Sequence, residues 1–354
     1  MRAPSPPRGR GSASNPKNRF ETVEIVPEPD DLDQVSSPAT RFLPDSSKTV
    51  IAYNDSPDVG FDASINPYRG CEHGCVYCYA RPTHEYLGFS AGLDFETKIM
   101  IKERAPELLR KELSSARWEP KVLAMSGVTD CYQPVEKRLK LTRRCLEVLL
   151  EFRNPVAIVT KNALVMRDID LLSELARHRC AAVFISLTTL DEKLSSAMEP
   201  RASRPHRRIQ AISALSAAGI PVGFLLAPMI PGLTDSEAPA IVQAAARAGA
   251  RFGGYVALRL PHGVKDLFED WLERHYPEKK KKVLSRIRAV RGGKLNDPGF
   301  HSRMKGEGIF AEQMAELFRV ACKKAGIGER WPVLSVEHFR RPGAPQLALF
   351  DAQP

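Results

Sequence analysis

The chain has 354 residues, 43% of them hydrophobic and 27% charged, the balance of a soluble globular protein with room for one large or two ordinary domains. No apolar run approaches the ~20 residues a membrane helix needs, and the Pro-, Ser- and Arg-rich start, Met1 to Arg19, has no apolar core, so neither a membrane span nor a secretory signal is expected. The formal net charge of +10 favours a polyanionic partner, and seven cysteines, an odd number without an export signal, point to a metal site or catalytic thiols rather than a disulfide framework.

Residues 1–48 read as a flexible basic leader, dominated by proline, serine and charge with no sustained apolar period. From Val50 onward, short apolar runs alternate with segments of helical spacing. Strands are predicted at 62–68, 121–127, 155–161, 181–188, 220–228 and 252–259, with helices at about 103–116, 136–152, 168–178, 205–218 and 235–248. Every strand after the first, which is more polar, is a near-continuous apolar run, as expected of strands buried on both faces of a parallel sheet. The succession predicts an α/β fold: a partial TIM-type barrel, (β/α)6, over 49–262, short of the eight strands of a full barrel. Beyond it, helices at 264–275, 278–290 and about 308–325 form a small, basic helical extension over 263–337. Residues 338–354 read as a Pro-rich, flexible tail.

Polar residues gather where strands end. Ser126, Thr129 and Asp130 follow the second strand, Thr160, Lys161 and Asn162 end the third, and Ser186 and Thr188 end the fourth. Barrel active sites form at C-terminal strand ends, although helix caps and turns use the same residue types. Lys161 stands out, because a lysine directly ending an apolar strand needs an anionic partner or solvent.

The run INPYRGCEHGCVYCYA follows the first strand and places Cys71, Cys75 and Cys78 in a Cys-x3-Cys-x2-Cys pattern. Three thiolates on one loop can ligate three irons of a cubane cluster and leave the fourth iron open. An amino-acid cofactor can chelate that open iron, and an electron passed to its sulfonium would break a carbon–sulfur bond and give a 5′-deoxyadenosyl radical. A zinc site that recruits His73 or His84 is the alternative.

Cys-x3-Cys-x2-Cys with an aromatic residue before the last cysteine resembles the signature of the radical S-adenosylmethionine superfamily, over about residues 55–260. More narrowly, NPYRGCEHGCVYCYAR, TDCYQPVEKRLKLTR and AGIPVGFLLAPMIPGLTD resemble its spore photoproduct lyase-like, or DNA-repair photolyase-like, branch. The resemblance implies a 4Fe–4S cluster on Cys71, Cys75 and Cys78 and S-adenosylmethionine as cofactor. It also implies an electron donor such as a flavodoxin or ferredoxin, DNA as substrate, and lyase-like chemistry in the cytoplasm. It places Tyr77 near the adenine of the cofactor, and Ser126, Lys161, Ser186, Glu199 and Arg201 around its ribose and carboxylate. Glu199 and Arg201 flank Pro200, and a plain surface salt bridge is the competing reading.

The same resemblance points to Cys131 as a hydrogen-atom donor, with Tyr132 as the neighbouring alternative. In the family the cysteine precedes the Thr/Ser-Asp stretch, whereas Cys131 follows Asp130. Cys145, Cys180 and Cys322 fall on apolar faces or strands and read as packing residues. The basic residues Lys279 to Lys282, Arg286, Arg288, Arg291, Lys294, Arg303 and Lys305 could neutralise phosphates or form a solvated face. Arg204, His206, Arg207 and Arg208 form a second patch. In the tail, Gln346, Leu347, Leu349 and Phe350 resemble the peptides that dock bacterial repair proteins on the sliding clamp. Three functions are therefore carried forward: a radical enzyme acting on DNA; one acting on RNA, a protein or a small molecule; and a clamp- and nucleic-acid-binding module with a structural cluster.

Overall fold

The structure is a computed structural model, and it describes residues 7–21, 39–328 and 331–342. The strands in chain order are β1 (Arg41–Pro44), β2 (Ile51–Tyr53), β3 (Ala63–Ile65), β4 (Tyr68–Arg69), β5 (Lys98–Ile101), β6 (Leu123–Met125), β7 (Val156–Thr160), β8 (Ala181–Ser186), β9 (Val222–Met229) and β10 (Phe252–Ala257). One seven-stranded sheet has the order β10-β9-β8-β7-β6-β3-β2. Its six strands from β3 to β10 are parallel neighbours, and β2 is added antiparallel to β3. These are the six predicted strands, each shorter overall than predicted, although β9 runs one residue further, to Met229, and the fold is the partial (β/α)6 barrel.

Two faces of the strands have different fates. Ile158, Val183, Ile185, Phe224 and Leu226 join the main core, together with helix residues such as Leu149, Leu175 and Leu215. The alternate residues Ala157, Val159, Ala182, Phe184, Leu225 and Phe252 pack with Leu334 as a separate cluster in the lumen. Trp331 reaches the same cluster, 4.7 Å from the Phe184 ring centroid. Gly328 bridges to Phe252 at the start of β10, so this plug enters from the N-terminal ends of the strands and leaves the opposite rim free.

Three departures from the sequence reading have local causes. The predicted helix 136–152 breaks at Lys140, which is left-handed, into Glu136–Leu139 and Leu141–Phe152. The Glu136 carboxylate accepts the Thr142 N–H at 3.0 Å and so caps the second helix, a side-chain bond that competes with continuing the first. A second sheet, β1-β5-β4, was not expected, because each strand is four residues or fewer. Finally, the leader is not wholly flexible. Residues 7–21 lie on the barrel: the Arg19 guanidinium bonds Glu85 at 2.7 Å, and Asn18 donates to the carbonyls of Glu85 and Phe89 at 2.9 Å each. Part of the tail is also seated, with Arg340 N donating to Phe152 O at 2.9 Å. Gln346, Leu347, Leu349 and Phe350 lie outside the described residues. Among the described residues no helix is long and apolar enough to cross a membrane.

His84 lies in the 3-10 turn Arg81–Leu87, fully buried between Phe89 and Phe95 at ring distances of 5.2 and 5.6 Å. Burial pushes its pKa down to about 4. The unfolded chain therefore binds this proton more readily than the native one, so the stability contribution is complete above the ordinary histidine range and is lost as pH falls from about 6.5 toward about 4. Denaturant titrations at pH 7 and pH 5 should show His84→Leu losing roughly 2 kcal/mol less than the wild type between the two. An equal loss in both proteins would contradict the assignment.

Candidate active site

The cluster loop leaves β4 at the free rim of the barrel. Successive turns wind it tightly: Gly74 N bonds Cys71 O at 3.4 Å, Cys78 N bonds Cys75 O at 3.2 Å, and Arg81 N bonds Cys78 O at 3.2 Å. Gly74 sits at φ +67°, and a side chain there would approach Glu96 Oε2 to 2.7 Å. All three cysteines are free thiols. Burial raises each of them above the ordinary thiol range. Neutral thiols in this environment become ligands only when a cation compensates the lost protons, so the donor set fits a cluster whose binding expels protons.

Among the described residues, the two histidines that a zinc site would recruit are engaged elsewhere. His73 Nδ1 stands 3.4 Å from Asp130 Oδ2 and its Nε2 stands 3.1 Å from Asn162 Nδ2, while His84 is held among rings. Among the described residues no three His, Cys, Asp or Glu side chains converge on one ion. Thiolates of a cubane bind three separate irons and need no such convergence.

The loop is gripped from three sides. From the segment after β6, Gln133 Oε1 accepts Glu72 N at 2.9 Å, and Glu72 Oε2 accepts Val135 N at 2.6 Å. Asp130 joins the same contact. Burial works to raise its carboxyl, but His73 and the N–H groups of Lys161 and Tyr132 outweigh that and hold it at about 2. From the barrel side, the Tyr77 hydroxyl donates to Glu199, which also receives Thr188 Oγ1 at 2.7 Å and the Arg208 guanidinium. Burial opposes ionisation of Glu199, yet Arg208, Lys161 and Tyr77 hold it at about 2. From beneath, Arg81 donates to Cys75 O at 2.9 Å and pairs with Glu96 at 2.5 Å, both side chains wholly buried.

The leader completes the third grip. Gly11 N and Ser12 N each donate to the Glu96 carboxylate at 3.0 Å. Gly11 lies so close to the loop that a Cβ there would come within 1.8 Å of Gly74 O.

The residues expected around the cofactor sort into two groups. Lys161 extends from the end of β7, with Nζ 5.9 Å from the Tyr77 ring centroid and 3.2 Å from Ala227 O. Ser186 ends β8 beside it, its carbonyl held by Arg208 at 3.1 Å. Ser126 adopts φ 76°, an unusual conformation for a residue with a side chain, and its Oγ accepts Cys131 N at 2.8 Å. Glu199 and Arg201 face the cluster loop instead. Arg201 bonds Glu72 at 3.0 Å and donates its N–H to His73 O at 3.2 Å. Cys131 is 1% exposed within the main core, and Tyr132 donates to Asp168 at 3.1 Å. Sequence reasoning did not find the supporting residues Glu72, Arg81, Glu96 and Gln133, and it read Arg208 as part of a basic patch, whereas Arg208 is 1% exposed and paired with Glu199. Charged residues inside helical or loop segments carry no local mark of burial.

A parallel partial barrel with a three-thiol loop on its C-terminal rim defines an α/β-barrel enzyme whose chemistry sits at that loop. The chain belongs to the radical SAM superfamily, whose pattern it matches over residues 65–245, and it is a radical SAM enzyme. That membership implies a 4Fe–4S cluster and S-adenosylmethionine. An uncharacterized protein of Mycobacterium tuberculosis is 35% identical over 248 residues, 69% of this chain and 72% of its own. Another, from Methanocaldococcus jannaschii, is 29% identical over 214 residues, covering 60% and 76%. Among solved structures, spore photoproduct lyase complexed with dinucleoside spore photoproduct superposes with a TM-score of 0.55 at 16% identity, over 81% of this chain and 80% of that one. A mutant of that lyase with bound AdoMet and the same lesion gives 0.55 at 16% identity over 82% of each chain. These likenesses establish the shared fold.

Gly11→Ala should therefore act on the cluster and not only on the leader. The added methyl must displace backbone, at a cost of about 1–3 kcal/mol. The expected results are a lowered Tm and faster loss of bound iron in air from the reconstituted protein. Unchanged iron retention would show that the leader contact does not support the loop.

Proposed function

We propose that this protein uses a 4Fe–4S cluster on Cys71, Cys75 and Cys78, with S-adenosylmethionine, to act on damaged DNA in the manner of a spore photoproduct lyase. The observation that carries the radical reading is the buried three-thiol loop at the free rim, with Lys161 and Tyr77 beside it. When bound, cluster and cofactor supply a 5′-deoxyadenosyl radical that can take a hydrogen atom from carbon. The DNA reading is supported by the resemblance of the three motif stretches, by the lesion-bound relative of the same fold, and by the net charge of +10.

In this reading the chain's own residues bind and orient. Lys161 offers its ammonium to the cofactor carboxylate, a charge-assisted contact. Tyr77 presents its ring next to the adenine, held in place by Glu199, which Arg208 fixes in turn. Ser126, just after β6, and Ser186, ending β8, flank Lys161 on the rim. Glu199 and Arg201 act on the cluster loop and not on the cofactor. Cys131 returns the hydrogen atom: it follows Asp130 in the stretch that grips the loop, whereas the Tyr132 hydroxyl is engaged by Asp168. A lesion inside a duplex must first be extruded, at a cost of a few kcal/mol.

Anaerobic incubation of reconstituted protein with cofactor, dithionite and DNA carrying a thymine-derived adduct tests the whole reading. About four irons per chain are expected, together with formation of 5′-deoxyadenosine that is lost in Cys75→Ala. Stoichiometric zinc, or full activity in that variant, would overturn it. Lys161→Met should weaken cofactor binding about tenfold or more, the loss of one charge-assisted contact. Cys131→Ala should still cleave the cofactor while diverting the substrate to side products, and an unchanged product distribution would retire its donor role.

A further inference from the structure

The rim beside the cluster loop carries more positive charge than its carboxylates neutralise. Three cations from the helical extension turn inward toward β10. Arg291 donates to Ala257 O and Leu258 O at 3.0 and 2.7 Å. Lys305 Nζ donates to Tyr255 O at 3.0 Å. Arg303 pairs with Asp58 and donates to Ser56 Oγ at 2.6 Å.

Arg259, just past the end of β10, differs from all three. Among the described residues it has no ion pair. Its Nη1 meets only the weak acceptor Met304 Sδ, at 3.5 Å, and its Nε is buried without an acceptor. Its guanidinium stands 5.5 Å from the Tyr79 ring centroid. Tyr79 directly follows Cys78, and its hydroxyl donates to Gly127 O at 2.9 Å, so the ring ties the cluster loop to the loop after β6. Burial lowers Arg259 below its ordinary range, and neighbouring Arg303 lowers it further. Arg291 is pushed down to about 10 by burial, with Arg259 adding to the effect. The carboxylate felt at Arg259 is Asp58, which is already paired with Arg303, so the Arg259 fork keeps donors open to a further anion.

We propose that Arg259 is the anion-binding residue of the barrel mouth, and that its ligand is a phosphate of a nucleic-acid strand. A guanidinium fork matches two phosphate oxygens. Tyr79 is 47% exposed beside it, and Phe300, 53% exposed, lies 4.4 Å from the guanidinium of neighbouring Arg303. Exposed aromatic faces among cations are what single strands stack upon. The proposal rests on the DNA reading above and names the group that would anchor that substrate.

The test is fluorescence anisotropy with iron-loaded protein and a labelled single-stranded oligonucleotide and, separately, calorimetric titration of the same protein with pyrophosphate. Arg259→Gln should weaken oligonucleotide binding about tenfold and reduce the slope of log affinity against log salt by about 0.7, one phosphate contact on a single strand. Arg259→Lys keeps the charge without the fork, so it should fall between the two at an unchanged Tm. It carries the test if Arg259→Gln lowers the Tm. Equal binding by wild type, Gln and Lys variants would overturn the anion site and leave the DNA reading standing. Pyrophosphate binding that depends on Arg259, without oligonucleotide binding, would support the anion site and overturn its nucleic-acid ligand. Binding of neither would overturn the proposal outright.

Discussion

A carboxylate that never reaches solvent holds the active site together. Glu96 is wholly buried, paired with the equally buried Arg81, and receives the backbone N–H groups of Gly11 and Ser12. A buried ion pair is tolerated only when its remaining donors and acceptors are satisfied, and removing one partner leaves a charge that costs about 3–5 kcal/mol. Here Arg81 donates to the carbonyl of Cys75 in the cluster loop and to those of Ala91 and Gly92, just ahead of the helix Leu93–Thr97 that carries Glu96. The pair therefore anchors the tightly wound cluster loop to the elements beneath it. It also recruits Gly11 and Ser12 of the leader as a strap against that loop.

Opposite electrostatic strategies surround this centre. Behind the loop, Glu199 meets Arg208 and two hydroxyl donors, so the region is neutral and closed. Around the rim, Lys161 and Arg259 are cations without a carboxylate partner among the hydrogen bonds of their head groups. The same division separates Glu199 and Arg201, which hold the loop, from Lys161, which faces the space above it.

Much of the fold was legible because it is written locally. Near-continuous apolar runs at β7, β8 and β9 mark strands covered on both faces, and the helices between them carry a clear apolar stripe. The short strands β1, β4 and β5 were not legible, since two to four residues give no period to read. The break at Lys140 was hidden for another reason. Glu136 looks like an ordinary helix surface residue until Thr142, Tyr68 and Arg167 close around it.

The sequence alone determined the three-thiol loop and the parallel barrel beneath it, because both depend on spacings within a few residues: thiols four and three residues apart, and apolar runs alternating with helical stripes. Tertiary structure decided what surrounds them. Gly11 against Gly74, Tyr77 on Glu199 and Arg259 above Tyr79 join segments far apart in the chain. Such contacts leave no periodic trace, and a charged residue in a loop reads the same whether it will be solvated or buried. Only the closing of the barrel, which brings the leader, the cluster loop and the end of β10 to one rim, settles which charges are spent on each other and which remain for a ligand.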